Sequence, residues 1–382
     1  RLAIEVEGVA GLELMERAGR AAWNRLIDAW PRAGAFAVVC GAGNNAGDGY
    51  VLARLALEQG WRVSLLALAD PDELRGDARA AAVKYLGAGG RVSPFAAAAL
   101  AGADVIVDAL FGTGLDREVT GPYRAAIEAV NDAKTPVLSI DIPSGLEADT
   151  GRVLGAAIRA AVTVSFIGRK QGLYTGEAAD YRGDPGFADL DVPDAVYQRV
   201  RPSARLVDPG SYLHLLPRRP RTAHKGRYGH VLVVGGDYGY AGAARMAAEA
   251  AARCGAGLVS IATRPEHAVA IPANRPELMA AGVEGAEGLS PLLERASVIA
   301  LGPGLAQSGW SRSLFGKILE TRLPLVVDAD GLNLLAQDPV RRGNWVLTPH
   351  PGEAARLLDH VHVRAGRGEF IGIAGGDEPL LV

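Results

Sequence analysis

A glycine-rich loop near the start of the chain contains the residues best suited to binding a ligand. Residues 41–49 read GAGNNAGDG, between a short apolar run and a helical pattern that begins at Tyr50. A strand, a glycine-rich turn and a helix place backbone N–H groups against a phosphate. The glycine spacing differs from the dinucleotide fingerprint, and the carbonyls of Asn44 and Asn45 can orient a ligand or an ion. The alternative is a tight turn in which Asp48 caps the following helix.

Two further polar clusters follow apolar runs. Asp108 opens DALFGTGLDREVTG, in which residues 112–114 form a flexible loop able to bring N–H groups to an anion. Asp141 opens DIPSG, directly after the apolar run Val137–Ile140. Each aspartate taken alone is more often a turn residue. Three such clusters at equivalent strand ends favour a ligand site instead.

Alternating apolar runs and amphipathic segments predict the elements that position these clusters. Continuous apolar runs followed by helices are typical of a parallel sheet covered on both faces. Strands are predicted at residues 36–40, 62–68, 105–110, 137–140 and 161–167, and helices at residues 12–30, 50–59, 77–86 and 122–130. The predicted fold class is α/β, with a Rossmann-like, doubly wound parallel sheet that binds ligands at the carboxyl ends of its strands.

Composition limits the classes of function. The length of 382 residues favours two or three domains. A net charge of −3 does not favour a nucleic-acid partner, and no apolar run of about 18 residues predicts a membrane span. Cys40 and Cys254 are predicted to be reduced structural thiols, and a nucleophilic Cys40 is the less favoured alternative. We therefore expect a cytoplasmic protein.

The chain changes character before its second half. Residues 181–227 contain six prolines and predict a linker with short strands. Their basic run, residues 218–227, favours a solvated linker over contact with nucleic acid or with nucleotide phosphates. A second α/β unit follows, with strands predicted at residues 230–236, 258–262, 298–301, 325–328 and 345–347 and a helix at residues 243–254.

Three motifs of the first half resemble the N-terminal epimerase domain of NAD(P)H-hydrate repair enzymes. They are GAGNNAGDG, VDALFGTGLDREVTGP and SIDIPSGLEADTG, flanked by GLELMERAG at residues 11–19 and FIGRKQGLYTG at residues 166–176. The resemblance covers residues 1–216, which we take as the first domain. It implies epimerisation of the R and S forms of hydrated NADH and NADPH, called NADHX and NADPHX. A homo-oligomer is a family-based expectation only.

The same resemblance implies two sets of site residues. The implied substrate-binding residues are Asn44, Asn45, Ala46, Gly47, Asp48, Gly112, Thr113, Gly114, Leu115, Asp116, Arg117, Glu118 and Asp141, and the implied potassium ligands are Asn45, Asp108 and Ser144. Oxygen donors of these types suit a hard cation. Ala46 stands where many relatives have glycine, a change that is tolerated only if its φ is negative.

The chemistry of epimerisation needs little more than proton transfer. The C6 hydroxyl of the hydrated nicotinamide must leave and return on the other face. A carboxylate that alternates between acid and base suffices, and Asp141 is the predicted catalytic residue. Lys170 is the next candidate, although a lysine at a strand end is usually a solvated charge or an anion anchor.

The second half resembles the C-terminal, ribokinase-like dehydratase domain of the same enzymes. The motifs are HKGRYGHVLVVGG, YGYAGAA, LGPGL, VVDADGLNLL and LTPHPGE. The resemblance implies a second domain at residues 217–382 that uses ADP or ATP, with magnesium, to remove water from the S epimer. By position, Ala243, Gly304 and His350 would face the hydrated cofactor. Alternatively, His350 is a packed loop histidine between two prolines.

The resemblance ends after Leu358. The family continues with a K-G-x-x-G segment for the nucleotide phosphates and a G-M-G-D turn with the catalytic aspartate, and residues 359–382 contain neither. We therefore expect an incomplete ribokinase-like domain, through truncation or a frame change, and no dehydratase activity.

Two other functions remain open. The three loops are also compatible with a non-catalytic module that binds a dinucleotide as a ligand or sensor. An ordinary dehydrogenase is less favoured, because Asp70 lies near the expected distance but the phosphate loop has the wrong glycine spacing.

Overall fold

A computed structural model describes residues 2–273 and 275–364. Its contacts divide the chain into two compact units, residues 1–201 and 202–382, earlier than the expected boundary at residue 216. Both units are parallel α/β sheets, which confirms the predicted fold class. No helix in the described ranges is both long and apolar enough to cross a bilayer.

The described part of the first unit contains a seven-stranded sheet in the order β3-β2-β1-β4-β5-β6-β7, in which all neighbouring strands are parallel. The strands are β1 (Ala35–Cys40), β2 (Arg62–Ala67), β3 (Val92–Pro94), β4 (Val105–Ala109), β5 (Val137–Ile140), β6 (Val162–Phe166) and β7 (Asp184–Ala188). The edge strand β7 lies within the predicted linker, so the first part of that segment belongs to the sheet. Strand order reverses at β1 and β4, where doubly wound sheets bind ligands.

Successive residues of a strand point to opposite sides of the sheet. Because the strands are apolar on both sides, helices cover both faces. The helices are α1 (Leu2–Glu5), α2 (Gly11–Ala29), α3 (Asn44–Glu58), α4 (Gly76–Gly87), α5 (Gly121–Asp132) and α6 (Asp194–Arg199). In β1, Phe36 and Val38 pack into one hydrophobic core with α2, α3 and α4. Ala37 and Val39 pack into a second core with α5 on the other face.

Helix α3 begins at Asn44, six residues before the predicted start at Tyr50. Gly43 occupies the N-cap position, so the interpretation of Asp48 as a helix cap is wrong. The helix packs very close to the sheet, since a Cβ at Gly49 would lie 2.6 Å from the Cβ of Ala109. This close approach explains why a glycine-rich sequence is helical here, because tertiary packing outweighs weak helix propensity.

The described part of the second unit contains a six-stranded parallel sheet in the order β10-β9-β8-β11-β12-β13. The strands are β8 (His230–Val234), β9 (Leu258–Thr263), β10 (Met279–Gly282), β11 (Val298–Leu301), β12 (Leu325–Val327) and β13 (Trp345–Leu347). The helices are α7 (Pro209–Tyr212), α8 (Ala241–Arg253), α9 (Pro265–Ala268), α10 (Ala270–Ala273), α11 (Ser290–Leu293), α12 (Gly309–Leu319), α13 (Asp330–Gln337) and α14 (Pro351–Arg364). The expectation that residues 359–382 leave the ribokinase-like domain incomplete concerns a segment whose residues beyond 364 lie outside the described part.

Candidate active site

A cavity of about 710 Å³ opens at the carboxyl ends of β1, β4 and β5. It brings the three polar clusters together, as expected for the switch point of a doubly wound sheet. The predicted residues that line it are Asn44, Asn45, Asp48, Gly112, Thr113, Gly114, Leu115, Asp116, Arg117, Glu118 and Asp141.

Two predicted substrate-binding residues do not line the cavity. Ala46 and Gly47 are buried within the first turns of α3, and Ala46 has no positive φ, so its methyl group is accommodated. Cys40 lies beneath the loop and is fully buried. Burial and the nearby Asp108 raise the pKa of the Cys40 thiol far above its ordinary value. A thiol that stays protonated is a poor nucleophile, so the nucleophilic interpretation of Cys40 is wrong.

Asp108 lies near the end of β4 and is buried, and among the described residues its carboxylate accepts hydrogen bonds from β5 and from the turns that follow β4 and β5. Its Oδ2 accepts from Ser139 Oγ at 2.7 Å and from the Ser144 N–H at 2.9 Å. Its Oδ1 accepts from Ser144 Oγ at 2.6 Å and from the Leu110 N–H at 3.2 Å. Burial raises the pKa of Asp108, although these donors oppose the shift.

Hydrogen bonds to the backbone of Phe111 link the side chains of Asn45 and Ser144. Asn45 Nδ2 donates to the Phe111 carbonyl at 2.8 Å, and the Phe111 N–H donates to Ser144 Oγ at 2.8 Å. With its amide nitrogen so engaged, the carbonyl Oδ1 of Asn45 is buried and has no hydrogen-bond partner. A buried acceptor left unpaired costs about 1–3 kcal/mol. A cation next to Asn45, Asp108 and Ser144 would satisfy it, so these residues fit an oxygen-bound monovalent ion.

Asp141 follows β5 and is held by a lysine. Lys170 Nζ donates to Asp141 Oδ1 and, at 2.7 Å, to the carbonyl of Phe166. Both side chains of the ion pair are only 16% exposed, so the interpretation of Lys170 as a solvated charge is wrong. The Phe166 N–H also donates to Asp141 Oδ1, at 3.2 Å. Asp141 has φ +69°, an uncommon backbone conformation that concentrates at functional sites.

Two aromatic rings on the cavity wall were not among the predicted site residues. Phe111 and Tyr123 both line the cavity, and their ring centroids are 4.8 Å apart. Phe111 follows β4, and Tyr123 lies in the first turn of α5. A signal was available, because Phe111 belongs to the second polar cluster and Tyr123 follows it directly. Such a wall suits a flat ring.

In the second unit, the structure brings together two of the three predicted dehydratase residues. Ala243 lies in the first turn of α8, and Gly304 follows β11 with φ +61°. A Cβ at Gly304 would lie 3.1 Å from the Cβ of Ala243. The two segments are joined further by the Asp237 N–H, which donates to the Gly304 carbonyl at 2.7 Å.

His350 follows β13, two strands away from β11 in the sheet. Its side chain is 62% exposed, so the interpretation as a packed loop histidine is wrong. Its Nδ1 accepts from the Gly352 N–H at 3.0 Å, and its backbone N–H donates to the buried carboxylate of Glu353 at 3.0 Å. Its Nε2 also lies 3.3 Å from Glu353 Oε1, so both ring nitrogens contact this turn while the side chain stays largely exposed.

Comparison with known families accounts for both units. Residues 11–172 match the family described as YjeF-related protein N-terminus, and residues 231–369 match the family described as NAD(P)H-hydrate dehydratase. The bifunctional NAD(P)H-hydrate repair enzyme Nnr of Coxiella burnetii is 50% identical over 358 residues, which span 94% of this chain and 73% of the relative. The chain belongs to the bifunctional NAD(P)H-hydrate repair enzymes. It therefore has an epimerase domain and a dehydratase domain, as the motifs predicted.

A second relative supports the same family. Nnr of Escherichia coli is 43% identical, over 94% of this chain and 69% of the relative. The crystal structure of the ADP/ATP-dependent NAD(P)H-hydrate dehydratase from Bacillus subtilis, co-crystallised with ATP and Mg²⁺, is 32% identical, covers 40% of this chain and 55% of that chain, and has a TM-score of 0.33. The dehydratase match extends to residue 369, past Leu358, and gives no support to the expected loss of dehydratase activity.

Proposed function

We propose that the cavity of the first unit catalyses the interconversion of the R and S forms of NADHX and NADPHX. The observation that carries the proposal is the Asp141–Lys170 ion pair, which places a fixed carboxylate at a cavity lined by the glycine-asparagine loop. The cavity volume of about 710 Å³ lies in the range of small-molecule and cofactor sites.

The residues divide the work of binding and proton transfer. The N-terminal turn of α3 and the loop at residues 112–118 offer N–H groups to the phosphates of the cofactor. Phe111 and Tyr123 offer an apolar wall to a ring of the substrate. Asp141 exchanges a proton with the oxygen at C6 as that oxygen leaves and returns. Lys170 positions Asp141 and keeps its charge compensated.

We further propose that Asn45, Asp108 and Ser144 hold a potassium ion. The unpaired Oδ1 of Asn45 supports this proposal, since it is a buried acceptor beside other oxygens. When bound, the ion would supply a fixed positive charge at the floor of the cavity. The contribution of the protein is to hold the loop after β4 against α3, which it does through the Phe111 backbone.

The test of the proposed function is an epimerisation assay on separated R and S hydrates. The wild-type chain should accelerate their interconversion, and Asp141→Asn should lower the rate by about 100-fold or more, because general acid–base catalysis contributes at least that factor. Asp132→Asn is the matched control, since Asp132 is an exposed residue at the end of α5. A wild-type chain that does not exceed the spontaneous rate would refute the proposal.

The same assay separates the enzyme from a non-catalytic binding module. Such a module would bind the hydrates with wild-type and Asp141→Asn chains alike and would convert neither. An ordinary dehydrogenase would instead transfer a hydride to or from a nicotinamide cofactor, which a standard absorbance assay detects.

For the second unit we propose the family reaction, in which ADP or ATP with magnesium drives removal of water from the S form. Ala243, Gly304 and His350 are the proposed contacts to the hydrate, and the packing of Gly304 against Ala243 supports a shared binding surface. Adding ADP and magnesium to the purified chain tests this reaction directly. ADP-dependent recovery of NADH would support this proposal, and it would contradict the expectation from the sequence that the chain lacks dehydratase activity.

A further inference from the structure

Among the acidic residues that line the cavity, Asp116 and Glu118 are exposed, whereas Asp48 is partly buried and has no task in the proposed mechanism. Asp48 lines the cavity and is half-buried. Within the described residues its carboxyl oxygens form no hydrogen bond and no ion pair. Asp108 and Asp141, in contrast, are each held by several donors. A carboxyl group that faces a ligand cavity without protein partners is available to the ligand.

Asp48 and Asp141 reach the same cavity from different elements of the fold. Asp48 belongs to α3, which follows β1, and Asp141 follows β5. Strand β4 lies between β1 and β5 in the sheet. With neighbouring strands about 4.8 Å apart, β1 and β5 are separated by about 10 Å. Both carboxyl groups line the cavity beyond these strand ends, so a ring bound there can be approached by two carboxyl groups that come from different elements.

The surroundings of the two carboxyl groups differ in charge and burial. Lys170 and the Phe166 N–H compensate the negative charge of Asp141. Burial raises the pKa of Asp48 well above its ordinary range, and the Asp141 carboxylate raises it further, while Lys170 opposes the shift. Burial therefore favours the protonated form of Asp48, whereas the carboxylate of Asp141 has a lysine as its partner. Pairs of titratable groups with environments of this kind are the usual acid and base of an enzyme.

We propose that Asp48 is a second acid–base residue of the epimerase and serves the face of the nicotinamide ring opposite to the face served by Asp141. The proposal rests on the epimerase function proposed above. It replaces one carboxylate that must reach both faces with two carboxyl groups, one for each face.

The reaction balances without any co-reactant. Asp48 gives its proton to the C6 hydroxyl on its own face, the C6–O bond breaks, and water leaves as the ring nitrogen donates its lone pair to form an iminium ion. A water molecule then adds to C6 from the other face, and its proton passes to Asp141. The product is the other epimer, and the two carboxyl groups have exchanged protonation states. The reverse direction starts from that exchanged state.

The test measures oxygen exchange separately from inversion, in water enriched in heavy oxygen. In the full chain, wild type should interconvert the epimers and incorporate solvent oxygen in both. Asp48→Asn and Asp141→Asn should each lower interconversion by about 100-fold or more. Each variant should still exchange the oxygen of one epimer with retention of configuration, because one acid still works on one face. The exchanged epimer should differ between the two variants.

The outcomes are distinct from those that test the epimerase itself. Asp132→Asn is again the control, and thermal unfolding of each variant verifies that it is folded. If wild type is active and Asp48→Asn retains its rate, the second acid–base residue is refuted while the epimerase stands. Loss of exchange in both epimers with Asp48→Asn, with the fold intact, would also overturn the proposal and assign Asp48 to positioning. An inactive wild type refutes the epimerase and with it this inference.

Discussion

Replacing Lys170 with methionine removes the charge that holds Asp141 and leaves most of the side-chain volume in place. In the wild type the ammonium group contacts the Asp141 carboxylate and the Phe166 carbonyl. After the change, the Phe166 carbonyl keeps the Gly168 N–H at 2.6 Å. Asp141 keeps only the Phe166 N–H among these donors, at 3.2 Å. The cost therefore comes mainly from a carboxylate that has lost its counter-charge.

The exposure of the pair sets the magnitude. Surface ion pairs contribute about 0–1 kcal/mol, whereas truncating one partner of a fully buried pair costs about 3–5 kcal/mol. Both members of this pair are 16% exposed. We expect Lys170→Met to lower the free energy of unfolding of the first unit by about 2–4 kcal/mol, which is closer to the cost for a buried pair than to that for a surface pair. The epimerisation rate should fall by about 100-fold, because a displaced catalytic group loses its alignment.

Amide hydrogen exchange read by mass spectrometry measures this loss in the full chain, because the slowest peptides of β4 and β5 report unfolding of the first unit alone. A double-mutant cycle adds the variant Asp141→Asn, in which the neutral amide no longer needs the ammonium group of Lys170 as its counter-charge. In that background Lys170→Met should cost about 1 kcal/mol or less, which gives a coupling energy of about 1–3 kcal/mol. Arg124→Met is the matched control, since its pair with Glu128 is 52% and 54% exposed.

An equal cost of Lys170→Met in both backgrounds would refute the reasoning, because the lysine would then act through packing and not through Asp141. A cost no larger than that of Arg124→Met would refute it as well, since the pair would behave as a surface pair.

Two further predictions concern the cation and pH. Potassium chloride, compared with tetramethylammonium chloride at equal ionic strength, should raise the unfolding temperature of the first unit, and Asn45→Leu should abolish the effect; an equal response of both chains would exclude Asn45 as a ligand. Because the pKa of Asp48 is raised in the folded state, its contribution to stability is present at acid pH and is lost as pH rises through that pKa. Unfolding free energies measured across pH should therefore fall more steeply for wild type than for Asp48→Asn, and parallel curves would contradict this assignment.

The order and type of the elements were determined by the sequence. Strand β1, predicted at residues 36–40, is Ala35–Cys40, and β13 has the predicted bounds Trp345–Leu347. These strands are continuous apolar runs between polar turns, and such periodicity is a property of adjacent residues alone. The meeting of three polar clusters at one rim also followed, because parallel strands carry their carboxyl ends to the same edge.

Local patterns failed where packing between distant segments decided the outcome. The glycines at 47 and 49 argued against a helix at the loop, yet α3 begins at Asn44 because Gly49 lets the helix approach Ala109 on β4. The edge strand β7 lies in the segment predicted as a linker with short strands, and its low apolar content did not show that it would pair with β6 and join the sheet.

The state of each polar side chain was decided only by the tertiary structure. The sequence placed Asp48, Asp108 and Asp141 in three polar clusters that follow strands and could not show what each carboxyl group contacts. The fold gives Asp108 four donors and pairs Asp141 with Lys170. It leaves the carboxyl group of Asp48 at the cavity without a hydrogen-bond partner among the described residues. Hydrogen bonds and burial depend on atoms brought together from separate strands, so the same residue type is hydrogen-bonded and buried at 108, ion-paired at 141 and without a hydrogen-bond partner among the described residues at 48.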